Sequence, residues 1–208
     1  MKITKIEQQK KNKSRFSVFI DGEFSFGADN FTIASHNLAE GIEITEEKLK
    51  QIKQGALTED AKNYAARLIS ARSYTEKAIR EKLRTHIGDE ETVDRTINFL
   101  KEYKLIDDAD YALRYAHDLV HIKKFGPKQV KWKLQEKGIP RHIIDTAMAE
   151  LNFEDTVSEN LKNLAIRKLS GNFDTKNIMK VKRYLASRGY DFDDINQVFY
   201  EIRAENKE

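Results

Sequence analysis

Two kinds of hydrophobic pattern divide the chain near residue 56. Before that point, apolar and polar residues alternate on both sides of Asp21-Gly22, which predicts a β-hairpin over residues 15–27. The opening KITKIEQ (residues 2–8) adds a possible third strand. Because an isolated hairpin is marginally stable in water, we expect this sheet to rest on the helical part. The residues expected to share a face are Phe16, Val18 and Ile20 on the first hairpin strand, and Phe24 and Phe26 on the second.

From about Thr58 onward the apolar spacing is helical, and apolar positions recur at an interval of 51 residues. This register predicts three units, 56–106, 107–157 and 158–208, each made of three helices. The five recurring columns are Ile79, Val130 and Val181; Leu83, Leu134 and Leu185; Val93, Ile144 and Ile195; Ile97, Met148 and Phe199; and Leu100, Leu151 and Ile202.

Glycine marks the end of the second helix in each unit, and proline marks its start in the second unit. Pro127 stands at a first helical position, and Gly138 and Gly189 follow the ends of two equivalent helices. The first unit has Ile87 at that position and Gly88 one residue later. Its second helix is therefore expected to end slightly differently.

The predicted fold class is mainly α: three tandem three-helix repeats in an elongated curved array, with a small N-terminal β-hairpin extension over residues 1–55. A three-helix unit of about fifty residues buries only a small core. Neighbouring repeats are therefore expected to share apolar surface.

Composition restricts the chemistry. The 208 residues include 37 basic and 34 acidic side chains, for a net charge of +3, and no cysteine. Disulfides and thiolate metal sites are thereby excluded. No apolar run approaches the roughly 20 residues that span a bilayer, so we expect a soluble, cytoplasmic protein without a membrane partner.

The small net charge conceals a segregation of charge between helices. Residues 123–138 contain six lysines against Glu136 alone, and residues 175–189 contain five basic residues and no acid. The third helices, 89–102 and 191–205, are acidic. A basic column at positions 80, 131 and 182 recurs in all three repeats. Stacked repeats would join these faces into a basic track for a polyanion or an acidic protein groove.

The candidate binding residues are the cations of the second helices and the single tryptophan. Lys124, Lys128 and Lys131 form one exposed stripe, whose reversal to Glu is expected to leave the fold nearly intact. The alternative is a solvated face, and for Trp132 a packing role between repeats. The full set is Lys77, Arg80, Arg84, Lys123, Lys124, Lys128, Lys131, Trp132, Lys133, Lys137, Lys180, Lys182, Arg183 and Arg188.

No motif indicates catalysis. His117 and His121 have the spacing of a zinc-protease helix, but Asp118 replaces the glutamate base and no third ligand is apparent. The acidic residues near 107–110 are typical of a helix N-cap. Phosphate-binding glycine motifs and nucleophile elbows do not occur. We expect no enzymatic activity, no metal and no cofactor.

Three segments together resemble the RecX family of recombination regulators: ARSYTEKAIREKL (71–83), LIDDADYALRYA (105–116) and KKFGPKQVKWKLQEKGI (123–139). The resemblance covers roughly residues 60 to 205. Ala78 departs from the family pattern, which commonly has a larger aliphatic residue there. The resemblance implies tandem three-helix repeats, in agreement with the register of 51.

The resemblance also implies a partner. Family members bind the RecA recombinase filament on single-stranded DNA, in its helical groove, and limit its growth, ATP hydrolysis, strand exchange and co-protease action. We expect a monomer of this kind, with weak direct DNA binding. The alternative is a DNA-binding protein with helix-turn-helix-like units, against which the acidic third helices count because phosphate repels them.

Overall fold

The computed structural model describes residues 1–10, 12–151 and 153–205, which form three strands and ten helices. The strands are β1 (Ile3–Gln8), β2 (Arg15–Ile20) and β3 (Glu23–Asp29). The helices are α1 (Asn30–Ser35), α2 (Glu46–Ala71), α3 (Glu76–Ile87), α4 (Glu90–Glu102), α5 (Asp108–His121), α6 (Pro127–Glu136), α7 (Arg141–Glu150), α8 (Glu154–Leu169), α9 (Thr175–Ser187) and α10 (Phe192–Glu205). The chain divides into two compact units, Met1–Arg72 with Ile79–Leu105, and Ser73–Ala78 with Ile106–Glu208.

The first unit contains an antiparallel sheet in the order β1-β2-β3, which confirms the predicted hairpin and third strand. Val18 pairs with Phe26, but a β-bulge follows, so that Phe19 pairs with Phe24. Phe26 is 8% exposed and Phe24 is 60% exposed. The expectation that Phe24 and Phe26 share one face was wrong, because the bulge shifts the alternation of the strand by one residue.

The sheet packs on α2, as expected for a small sheet that needs a helical support. Thr45 caps α2 by accepting a hydrogen bond from the Lys48 amide at 3.2 Å. The helix then continues unbroken to Ala71, so the predicted start of the repeats at residue 56 lies inside it. The shared core consists of Ile3, Val18, Ile20, Phe26, Ala28, Leu38, Leu49, Ile52 and Ala56.

Helices α3 and α4 follow the C-terminal half of α2, and α5–α7 and α8–α10 form the next two three-helix repeats. The five predicted apolar columns are confirmed: their members are at most 3% exposed, except Met148 and Leu151, which are partly buried. Helix α3 continues to Ile87 before the left-handed Gly88 (φ +73°). It therefore ends later in the repeat than α6 and α9, as its sequence predicted.

In the second unit, the buried apolar residues of the repeats α5–α7 and α8–α10 belong to one continuous cluster. Helix α8 packs on both α5 and α9, and Asn160 donates from its buried amide to the Val120 carbonyl at 3.1 Å. These two repeats therefore share their core, as the small size of each repeat predicted.

At two places in the second unit, the start of one second helix meets the cap of the next, and we call each of these contacts a repeat joint. The Gly126 amide, at the start of α6, donates to the Arg188 carbonyl at 2.9 Å. At the equivalent positions 51 residues earlier, the Thr75 hydroxyl donates to the Lys137 carbonyl at 2.9 Å. Each joint places the beginning of one second helix against the glycine cap of the next. At Gly189 (φ +89°), an added Cβ would overlap the backbone of α6.

Helix α9 begins differently from α6. Its N-cap, Asp174, accepts from the Asn177 amide at 2.7 Å. Asn177 occupies the position that corresponds to Gly126 in the register of 51. The amide that joins α6 to the following repeat is thus used in α9 for the cap of its own helix.

Candidate functional site

The basic column at positions 80, 131 and 182 connects the second and third helices within each repeat. Each member reaches the side chain 14 residues later. In the first two repeats the partner is a carboxylate, and in the third it is a neutral amide. The three pairs are Arg80 with Asp94, Lys131 with Asp145 (3.2 Å), and Lys182 with Asn196 (2.6 Å).

Most other cations of α3 and α6 also meet a carboxylate. The ion pair with Glu90 raises the pKa of Arg84. The ion pair between Lys128 and Asp191 raises the pKa of Lys128 and lowers that of Asp191. The positive charge of these helices is therefore largely compensated by their own chain. The pairs are Arg84 with Glu90 (2.6 and 3.0 Å), Lys128 with Asp191, and Lys133 with Glu136 (2.8 Å).

Trp132 lies on the outer side of α6 and is 47% exposed. The Lys133 ammonium stands 4.4 Å from its ring centroid. At the end of this helix, the Lys137 ammonium lies 5.7 Å from the Tyr115 ring. Trp132 is thus partly open to solvent, beside lysines that already have partners.

Lys77 has a different position from the other predicted residues. It is exposed in the first turn of α3, and its aliphatic stem lies against Gly138 in the repeat joint. Part of this side chain is therefore used for packing within the second unit, against the cap of α6.

Helix α9 presents a row of cations to which the described residues supply no carboxylate partner. Lys176, Lys180, Tyr184 and Arg188 follow one another at intervals of four residues, so they lie along one ridge of the helix. The Lys168 ammonium, from α8, stands 4.8 Å from the Tyr184 ring centroid. We call these five residues the α9 ridge. Within the described parts of the chain, none of its lysines forms an ion pair with a carboxylate.

Arg188 is fixed at the C-terminal end of the ridge. Its guanidinium lies 4.2 Å from the Phe125 ring and donates to the carbonyls of Lys123 and Lys124, the latter at 3.2 Å. The Tyr190 hydroxyl donates to the Lys124 carbonyl at 3.1 Å. Burial raises the pKa of Tyr190 to about 12, so this donor keeps its proton at neutral pH. The turn with Lys123 and Lys124 thus adjoins the ridge.

Only part of this surface was predicted from the sequence. Arg183 is exposed on α9 and donates to the Met179 carbonyl at 3.3 Å. Lys168, Lys176 and Tyr184 were not predicted as site residues. The interval of four residues in α9 could have identified Lys176 and Tyr184, whereas Lys168 comes from another helix, and packing alone brings it close.

The arrangement is suited to binding an anion. Among the described residues there is no group of three or more side chains that could hold a metal, and the rings of His117 and His121 stack with centroids 4.1 Å apart. In the same part of the chain, no helix is both long and apolar enough to cross a membrane. The α9 ridge brings together several cations that form no ion pair with a carboxylate of the described residues.

Four family profiles match successive parts of the chain. The "Regulatory protein RecX N-terminal domain" matches residues 1–45. The first, second and third three-helix domains of RecX match residues 61–100, 107–148 and 156–199. These segments follow the sheet and the three repeats in order.

Whole-chain relatives and solved structures agree with the profiles. "Regulatory protein RecX" of Clostridioides difficile strain 630 is 36% identical over 96% of this chain and 95% of its own. The protein of the same name from Clostridium acetobutylicum is 35% identical over 98% and 97%. A crystal structure of regulatory protein RecX superposes with a TM-score of 0.72 at 26% identity, over 95% and 98% of the two chains, and RecX from Lactobacillus salivarius with 0.66 at 26%, over 71% and 97%. With its sheet and all three repeats matched in order, the chain belongs to the RecX family of regulatory proteins.

Proposed function

We propose that this protein binds the filament that a RecA-type recombinase forms on single-stranded DNA. Bound there, it limits filament growth and with it ATP hydrolysis, strand exchange and co-protease action. Membership of the RecX family supports a regulatory role, and the α9 ridge is the observation that supports an anionic partner. A nucleoprotein filament offers such a partner in both its phosphates and its acidic side chains.

The protein acts by occupying the filament and carries out no chemistry of its own. Cations without internal partners attract an anionic surface at long range, and they are desolvated on contact without first breaking an ion pair. The α9 ridge meets both conditions, since its lysines form no ion pairs with described carboxylates. We place this activity in the cytoplasm and assign it to the monomer.

The alternative, duplex recognition by helix-turn-helix-like units, has less support. Such units read bases with the N-terminal residues of a recognition helix. In α6 these residues are occupied by the repeat joint: the amides of Gly126 and Lys128 donate to Arg188 and Gly189 carbonyls at 2.9 and 3.1 Å. Two of the third helices, α4 and α10, have acidic residues in their first turns, such as Glu90 and Glu91 in α4, which phosphate repels.

The test is ATP hydrolysis by the cognate recombinase on single-stranded DNA, titrated with this protein. We expect hydrolysis to fall with increasing protein and to level off when the filament is saturated. Co-sedimentation with the filament, measured on the same samples, shows whether the fall follows binding. Unchanged hydrolysis in the presence of bound protein would refute the inhibitory role, and sequence-selective binding to duplex DNA would establish the alternative.

A further inference from the structure

We propose that the α9 ridge contacts the phosphate backbone of a single nucleic-acid strand, which within the proposed function is the DNA of the filament. The ridge consists of Lys168, Lys176, Lys180, Tyr184 and Arg188, and its end adjoins the turn that contains Lys123 and Lys124. This inference rests on the proposed function for its biological setting. The filament offers DNA phosphates and acidic side chains, and the inference assigns the phosphates to the α9 ridge.

The composition of the ridge favours nucleic acid over protein. Protein interfaces commonly have an apolar core from which charged residues are depleted, whereas nucleic-acid interfaces are polar and strongly positive. The ridge consists of cations apart from its one aromatic member, Tyr184, which is only partly exposed. The exposed Met179 lies to one side, next to Arg183.

Part of the ridge is also held in place before any ligand binds. Tyr184 has the Lys168 ammonium 4.8 Å and the Arg188 guanidinium 6.0 Å from its ring centroid. Arg188 is held further by the Phe125 ring and by the backbone of the 123–124 turn. Cations fixed in this way lose less conformational freedom on binding. Tyr184 is accordingly a positioning residue, and Lys168, Lys176, Lys180 and Arg188 are the ligand contacts.

The extent of the ridge is sufficient for several phosphates. From Lys176 to Arg188 it covers about 18 Å at the helical rise of about 1.5 Å per residue. The nearest acid at its start, Asp174, is directed to the Asn177 amide at 2.7 Å as a helix cap. The cations therefore face solvent in a row, as a strand of phosphates requires.

Salt-dependent DNA binding by the full-length chain tests the assignment. We would compare the wild type with the double variant Lys176→Glu/Lys180→Glu, using a fluorescent oligothymidylate and anisotropy at several salt concentrations. Each lost phosphate contact should lower the slope of log Kd against log salt by about 0.7 for a single strand, and the double variant should bind about tenfold or more weakly at low salt. A labelled duplex in parallel distinguishes strand from duplex as the source of phosphate.

The matched control is Lys48→Glu/Lys53→Glu, which makes the same change of charge at exposed positions in the first turns of α2. It should leave affinity and slope close to the wild type. If the ridge variant loses filament binding but keeps its single-strand affinity and slope, the ridge contacts acidic protein and the inference is wrong. If both variants behave alike, the ridge is a solvated face. Failure of the wild type to bind the filament refutes the proposed function instead, whatever the ridge variant does with free DNA.

Discussion

Helices α6 and α9 occupy the same place in successive repeats, yet their cations have different surroundings. In α6, Lys128, Lys131 and Lys133 each meet a carboxylate. In α9, Lys176 and Lys180 meet none among the described residues. Both helices are rich in lysine, so the count of cations alone does not predict a positive surface. The acids that pair with Lys128 and Lys131 come from neighbouring elements, so packing decides which helix keeps uncompensated positive charge.

The largest loss of stability should come from truncating a buried leucine. It should be equal in α6 and α9, because their buried faces are equivalent. Leu134 and Leu185 are both fully buried. Replacement of either by Ala should lower the free energy of unfolding by roughly 2–5 kcal/mol through the cavity left behind. Urea unfolding followed by circular dichroism measures the loss. Ile166→Ala, at a 48% exposed position, is the control, and a large difference between the two leucines would contradict the equivalence of the repeats.

The next largest effect should come from the glycine caps, where the loss of stability should differ between α6 and α9. Gly138, Gly171 and Gly189 all have positive φ, so Ala is strained at each, by about 1 kcal/mol. At Gly189 a Cβ would also overlap the backbone of Gln129, whereas at Gly138 it would overlap the Lys77 side chain, and at Gly171 it would meet nothing. Thermal unfolding should therefore rank the losses as Gly189→Ala, Gly138→Ala, Gly171→Ala. An equal loss at all three would mean that the repeat joints are loose.

A smaller effect should distinguish the exposed lysines. Lys131→Glu removes the ion pair with Asp145 and brings two negative charges together, so it should destabilise by about 0.2–1 kcal/mol. Lys180→Glu should remain within about ±0.5 kcal/mol. A double-mutant cycle on Lys131 and Asp145, measured by urea unfolding at low salt, isolates the pair. If the cycle gives no coupling energy between Lys131 and Asp145, this ion pair does not compensate the positive charge of α6.

The last predicted difference is a pH dependence of stability that appears only at alkaline pH. It concerns the residue after each glycine cap. Tyr190 follows Gly189, and the equivalent residue after Gly138 is Ile139, which does not titrate. The folded state raises the pKa of Tyr190 from 10.0 to about 12, so it retains the proton at higher pH than the unfolded chain. This contribution to stability is complete below pH 10 and declines as the pH rises toward 12. Tyr190→Phe should remove that part of the alkaline decline in urea titrations; an unaltered decline would assign it to other groups.

Much of the fold could be predicted because its signals are local or strictly periodic. The columns through Leu83 and Val93 repeat in one register, Asp21-Gly22 marks a hairpin, and Gly88 explains why α3 ends later. The bulge that exposes Phe24 was missed, because the apolar alternation continues through it and only the pairing with β2 reveals it.

The candidate site was less predictable because ion pairs depend on packing between helices. Lys128 meets Asp191 from another repeat, and Lys131 meets Asp145 from another helix. The expected mild effect of reversing Lys124, Lys128 and Lys131 together is therefore revised, since that change also places like charges across two contacts. A comparison of columns could have revealed one clue: the acids that accept from positions 80 and 131 are replaced by Asn196 in the last repeat.

The cap of α9 has a consequence for assembly. In α6 the Gly126 amide is available to the next repeat, but in α9 the Asp174 carboxylate already takes the equivalent amide of Asn177. A three-helix unit from another molecule would have to displace that carboxylate before it could extend the series. The hydrogen bond thus disfavours head-to-tail addition of further copies of this chain through a repeat joint at α9.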